Sequence, residues 1–192
     1  MNIVPTLSLI DHELALYIVS IRSVFFDNFF FLLTWLGSWP AITLSFILIS
    51  ALFYLGKKKT LIFPLFLSVL GSGIMTLAVK YLVDRARPGN GISMYAEQLS
   101  SFPSAHSSLI FALFGFLIYY VWRFNLSLII KISLTVLFTA IIALVGFSRL
   151  YLGVHFLSDV LAGYLTGLLW VLIVIFYLSR HQNSDLPLSN GR

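Results

Sequence analysis

The sequence has 192 residues, of which 59% are hydrophobic and only 10% charged, and its mean hydropathy of +0.98 is far above that of soluble domains. The formal charge is +5, but twelve Lys and Arg spread over so apolar a chain form no basic face that would track nucleic acid, so an acidic lipid or phosphate is the expected partner. No cysteine is present, which excludes disulfides, thiolate metal sites and cysteine nucleophiles.

At roughly 20 residues per membrane span, five or six helices use most of this length, leaving one membrane domain over residues 1–192 and little room for a soluble one. The opening residues, MNIVPTLSLIDHE, lack a basic start and a small-residue cleavage site after an apolar run, so they do not read as a removed signal peptide. Residues 14–37, LALYIVSIRSVFFDNFFFLLTWLG, are apolar but interrupted by Arg22, Asp27 and Asn28, and either span or lie in the interface. Residues 39–56, 61–83, 107–122, 126–147 and 156–178 are long and apolar enough to span. The expectation is an all-α integral membrane bundle of five spans plus a sixth or interfacial N-terminal helix, ending in a polar tail over residues 179–192.

Lys57, Lys58 and Lys59 follow the first of these spans, Arg123 and Lys131 flank the turn after the third, and Arg180 follows the last, so all fall on one face. Short basic loops are retained in the cytoplasm, which makes the protein a multi-pass protein of the cytoplasmic (inner) membrane with residues 83–106 and 148–155 facing outward. Three clusters sit on that outward face: residues 80–88 (KYLVDRARP), 103–106 (PSAH) and 148–159 (SRLYLGVHFLSD). Charge near a bilayer is costly, so such residues are functional candidates that need a partner.

Lys80 offers a point charge, and Arg87 and Arg149 two planar forks, a set suited to the tetrahedral oxygens of phosphate. Pro103 places Ser104, Ala105 and His106 at a helix start, where free backbone N–H groups and the dipole favour an anion, and the Ser104 hydroxyl adds a donor. His155 and Asp159 are four residues apart, so on a helix the carboxylate orients the imidazole and His155 is the natural nucleophile. An unperturbed histidine titrates near operating pH, so His106 suits the general acid.

These clusters resemble the three motifs of the type 2 phosphatidic acid phosphatase family, K-x6-R-P, P-S-G-H and S-R-x5-H-x3-D. Lys80, Arg87 and Pro88 match the first, Pro103, Ser104 and His106 the second, and Ser148, Arg149, His155 and Asp159 the third, within a core of about residues 37–178. The resemblance implies a phosphohistidine on His155, protonation of the leaving alcohol by His106, support of the nucleophile by Asp159, and no metal or other cofactor. Ala105 stands where the family usually has glycine, so the backbone there must avoid positive φ.

Some residues have plainer readings. Asp84 and Arg85 read as ordinary interfacial charges, Ser107 and Ser108 as small packing residues, and Gly146, Gly153, Gly163 and Gly167 as aids to close packing or turns. The 18 phenylalanines read as lipid-facing bulk. The expected function is hydrolysis of a lipid phosphate monoester or diphosphate. Its rivals are transfer of phosphate between lipids and binding or transport of a phosphate-lipid without chemistry. Undecaprenyl diphosphate ranks first among substrates on resemblance, then a glycerophospholipid phosphate such as phosphatidic acid or phosphatidylglycerol phosphate.

Overall fold

The computed structural model describes residues 3–89 and 91–181. Within them the chain forms α1 (Ile3–Ser20), α2 (Val24–Thr34), a 3-10 turn (Trp35–Gly37), α3 (Trp39–Leu55), a second 3-10 turn (Lys59–Leu61), α4 (Ile62–Val83), α5 (Ala105–Arg123), α6 (Leu128–Tyr151) and α7 (Leu157–His181). Helix starts carry local signals. Ser38, Ser104 and Ser127 each sit extended before a helix and accept a first-turn N–H, from Ala41, Ser107 and Ile130 respectively. α4 ends where Asp84 turns left-handed at φ 42°, with its N–H bonded to Lys80 O. Aspartate is one of the few side chains that tolerate that turn.

Among the described residues, four stretches are long and apolar enough to cross a membrane alone: Lys59–Val83, Ala105–Arg123, Leu128–Tyr151 and Leu157–Arg180. A fifth span exists only if Val24–Gly37 and Trp39–Leu55, bent by 53° at their junction, are taken together. The architecture is therefore the expected helical membrane bundle, with its N-terminal third divided differently. Residues 14–37 are not one element: α1 stops at Ser20 and α2 begins at Val24. The polar residues at this break dock the chain. Arg22 Nε donates to Tyr151 O at 2.9 Å, Ser23 N donates to the Tyr151 hydroxyl at 3.0 Å, and that hydroxyl donates to Asp27 Oδ1 at 2.9 Å.

α5 is the central helix, packed against α4, α6 and α7. Its Ile110, Ala112, Leu113 and Phe116 are fully buried, together with Leu65, Val145 and Val174 from the helices around it. Bundles in lipid hold together by close backbone approach and interhelical hydrogen bonds, because lipid removes the hydrophobic driving force between helices. Both devices are present. Gly163 and Gly167 of α7 lie against Ser104, Ser107, Ser108 and Ala112 of the α5 segment. Ser72 and Thr76 of α4 meet the buried Ser108 hydroxyl at 2.5 and 2.9 Å, while Ser68 bonds Ala112 O at 3.0 Å. Ser108 thus has the packing role read from the sequence. The outer surface is apolar, with Phe25, Leu32, Leu55, Leu82 and Ile129 exposed.

Between α4 and α5 an irregular segment folds back over the turn that joins α6 to α7. Met94 N bonds Leu152 O at 3.0 Å, and Ser93 Oγ bonds Gly153 O at 2.7 Å. Gly153 has φ +69°, and a Cβ there would lie 2.2 Å from Ile92 O, so only glycine fits. Residues 182–192 of the expected polar tail lie outside the described residues.

Candidate active site

The last turns of α4, the first turn of α5 and the α6–α7 turn converge on one cavity of about 260 Å³. Lys80, Arg87, Ala105, His106 and His155 line it, with Glu97, Gln98 and Leu99 from the irregular segment and Trp39 from α3. All five of those first-named residues were candidates from the sequence. The other three, Ser104, Arg149 and Asp159, are fully buried beside it.

Each side chain is held by its element. Lys80, 4% exposed, donates to the carbonyls of Ser100 and Ser101 at 2.5 and 3.4 Å, which compensates the burial of its charge. Arg87 donates through Nε to Leu99 O at 2.8 Å, through Nη1 to Val154 O at 2.7 Å and through Nη2 to Ser100 O at 3.3 Å. Its fork is therefore immobilised before any ligand arrives. Ser104 caps α5, its Oγ accepting from Ser107 N at 3.4 Å and from Ser107 Oγ at 3.0 Å. Ala105 and His106 come next, so their N–H groups have no carbonyl within the helix to bond and face the helix start. Ala105 is not among the residues with positive φ, so alanine is accommodated where the motif usually carries glycine.

His155 sits in the turn before α7 and is 2% exposed. Its Nδ1 lies 3.5 Å from Asp159 Oδ2, and its Nε2 lies 3.3 Å from Arg87 Nη1. A guanidinium only donates, so Nε2 presents its lone pair and the ring proton resides on Nδ1, facing the carboxylate. Burial pushes the His155 pKa well below its ordinary value, and the positive charges of Arg149 and Arg87 add to that. The imidazole is thus held in its neutral form, with Nε2 toward Arg87, which lines the cavity with it. Asp159 Oδ2 also accepts from Phe156 N at 2.9 Å, and its backbone carbonyl accepts from Ser104 N at 3.0 Å, which ties the starts of α5 and α7 together.

Arg149 spends its fork on protein groups: Nη1 donates to Thr34 Oγ1 at 2.7 Å and to the Tyr95 hydroxyl at 2.6 Å, while Nη2 meets the Glu97 carboxylate. The other Glu97 oxygen lies 2.6 Å from Arg87 Nη2. Burial alone would raise the Glu97 pKa, but Arg149 and Arg87 outweigh it and hold the carboxyl below its usual range. Glu97 therefore stands between the two arginines as an anion. Among the described residues, no group of three or more His, Asp or Glu side chains is arranged to hold a metal ion.

Sequence reasoning missed Glu97, Tyr95 and Thr34, and it took Arg85 for an ordinary interfacial charge. Arg85 instead donates to Asp159 Oδ1 at 2.6 Å, Asp11 Oδ2 at 2.8 Å and Ser158 Oγ at 2.6 Å. The linear pattern did not separate it from Arg87: the two are two positions apart in an extended stretch before a proline, a spacing that puts both on one side, so only the folded contacts tell them apart. A second, apolar hollow of about 330 Å³ between α3 and α4 is lined by Trp39, Ile42, Phe46, Phe66 and Val69, and Trp39 borders both spaces.

The family model described as the PAP2 superfamily matches residues 61–183. Phosphatidylglycerophosphatase B of Bacillus subtilis (strain 168) is 34% identical over 119 residues, covering 61% of this chain and 58% of that protein, so the chain spans little more than half the length of this relative. The crystal structure of the first transmembrane PAP2 type phosphatidylglycerolphosphate phosphatase from Bacillus subtilis is similar with a TM-score of 0.83 at 25% identity, over 96% of this chain and 90% of that one. The crystal structure of Aquifex aeolicus LpxE gives a TM-score of 0.68 at 25% identity, over 86% and 94% of the two chains.

Proposed function

The chain belongs to the PAP2 superfamily, and from that premise we propose that it is a membrane-embedded lipid phosphatase that works through a phosphohistidine on His155. The observation that carries this reading is the His155 imidazole, neutral and with Nε2 turned toward Arg87, on the wall of a cavity that also holds Lys80 and His106. A binding site for phosphate needs the cations but not an imidazole set beside a carboxylate.

The substrate phosphoryl group enters among Lys80, Arg87 and the first-turn amides of α5, displacing Glu97 from the arginines so that Arg149 joins them. His155 Nε2 attacks phosphorus, forming a P–N bond as the bond to the lipid oxygen breaks. His106 gives that oxygen a proton. The imidazole, now phosphorylated and cationic, keeps its Nδ1–H against Asp159, whose charge offsets it. His106, left basic, takes a proton from water, the water oxygen attacks phosphorus, and cleavage of P–N releases inorganic phosphate and neutral His155. Stabilisation of the equatorial oxygens by pre-placed cations supplies most of the acceleration, as phosphoryl transfer requires. No step draws on a metal or other cofactor.

The apolar hollow that meets the cavity at Trp39 supports a lipid rather than a soluble ester, with its chain between α3 and α4. The named activities of the relatives move phosphatidylglycerol phosphate ahead of undecaprenyl diphosphate. The basic residues Lys57, Lys58, Lys59, Arg123 and Lys131 lie at the other ends of the helices that carry the site, which supports reading the cavity as extracytoplasmic in a cytoplasmic-membrane protein. The test is phosphate release by the detergent-purified protein, with EDTA present, from phosphatidylglycerol phosphate, phosphatidic acid, undecaprenyl diphosphate and lipid A phosphate, alongside His155→Ala. Release that EDTA spares and His155→Ala abolishes is expected. No release from any of the four by folded protein sinks the reading in favour of binding or transfer.

A further inference from the structure

Behind His155 and Asp159, on the side away from the cavity, lie two charges that the reaction above does not use, Arg85 and Asp11. Asp159 is fully buried, and an isolated carboxylate there would be costly. Its Oδ1 receives Arg85 Nη1 at 2.6 Å, and the other end of the same guanidinium, Nη2, is held at 2.8 Å by Asp11 of α1. Asp11 is 4% exposed and grips α7 as well: its Oδ1 accepts from Ser158 N at 3.0 Å, and its Oδ2 from Ser158 Oγ at 2.5 Å. Around it, Leu14, Ala15 and Ile18 of α1 close over Leu150, His155 and Phe156. The Arg85 guanidinium also lies 4.5 Å from the centre of the Phe156 ring.

We propose that Arg85 and Asp11 are positioning residues for the nucleophile: Arg85 keeps Asp159 ionised and aimed at His155, and Asp11 on α1 holds Arg85 and the first turn of α7 in register. The inference rests on the phosphohistidine reading above and extends it to α1, which lies outside the stretch matched by the family model. Neither residue lines the cavity, so neither contacts the phosphate. Loss of either then slows the attack without weakening substrate binding. The charged and titratable groups facing Asp159 are Arg85 with Asp11 behind it, His155, and the more distant Lys80 and Arg87. With Arg85 replaced by a neutral side chain, the nearest cation is gone, and the carboxylate takes up a proton at a higher pH than before.

The experiment compares Arg85→Gln, Arg85→Lys and Asp11→Asn with the full-length protein in detergent, measuring kcat, KM, the pH–rate profile and thermal unfolding. Arg85→Gln is expected to lower kcat roughly ten- to a hundredfold, as losses of groups that orient a working histidine do, with KM unchanged and the acid limb of the profile moved to higher pH. Arg85→Lys, which restores one cation but cannot span two carboxylates, returns the limb toward its original position with only part of the rate. Asp11→Asn lowers kcat with KM unchanged and no upward shift of the limb. Should Arg85→Gln unfold, the Lys and Asn variants carry the same test. Wild-type kcat and an unmoved limb in the variants overturn the inference, as does a loss that merely tracks the fraction of folded protein. A wild-type protein that releases no phosphate from any lipid overturns the phosphohistidine reading and this inference with it, and is told apart by failing before any variant is made.

Discussion

Gly163→Ala is expected to damage the site from a position that touches no substrate. A Cβ built on Gly163 would lie 2.5 Å from Ser104 O and 2.8 Å from Ser107 Cβ. Ordinary contact begins at 3.4 Å, so α7 and the start of α5 must separate by about 0.9 Å to accept one methyl group. The obstructing atom at Ser104 is a backbone carbonyl at the cap of α5, which no rotamer change relieves. His106 moves with that cap, while His155 and Asp159 stay with α7. A displacement of about 1 Å between reacting groups costs roughly a hundredfold in rate, and overpacking of this kind costs about 1–3 kcal/mol of stability. The assay is phosphate release under saturating lipid, with thermal unfolding of the same preparation in detergent. A Gly163→Ala protein with wild-type kcat would refute the view that this crossing sets the distance between the two histidines, whatever its melting temperature.

Two other outcomes follow from the charges. The His155 pKa is held below its ordinary 6.5, so the folded protein refuses a proton that the unfolded chain accepts. Stability contributed by the neutral imidazole is therefore present above pH 6.5 and is lost as pH falls from there toward the folded pKa. Melting temperature should decline between pH 7 and 5.5 more steeply in wild type than in His155→Asn, and the opposite slope would contradict the buried, neutral histidine. For Glu97→Gln, the removal of the carboxylate that bridges Arg149 and Arg87 should tighten inhibition by inorganic phosphate roughly tenfold, about the value of one charge-assisted hydrogen bond. Inhibition constants that stay the same or weaken would show that Glu97 does not compete with phosphate for the arginines.

The site residues readable from the sequence share a property: each is fixed by a short-range relation. Lys80 and Arg87 flank the end of one helix, Ser104 to His106 form one helix start, and Arg149, His155 and Asp159 are carried by one turn and the helix ends beside it. Spacing of that sort survives in a linear pattern because local geometry determines which side chains meet. Thr34, Glu97 and Asp11 have no such relation. Asp11 meets Ser158 across 147 positions, and Arg149 meets Thr34 across 115. Only the packing of α1 and α2 on α6 and α7 brings them together.

The division of the N-terminal region has the same origin. Composition marks residues 14–37 as apolar with polar interruptions, but whether Arg22, Ser23 and Asp27 are tolerated in a span or used at a break depends on partners for them. Tyr151, more than 120 positions away, supplies those partners. By itself the sequence determined an all-helical membrane bundle and the cation, histidine and carboxylate set of the site, because hydropathy and helical spacing act over a few turns. The tertiary structure alone decided which carboxylates face the cations: Glu97 between Arg87 and Arg149, and Asp11 against Arg85. Ion pairing depends on distances of about 3 Å, and only the folded chain brings such distant residues that close.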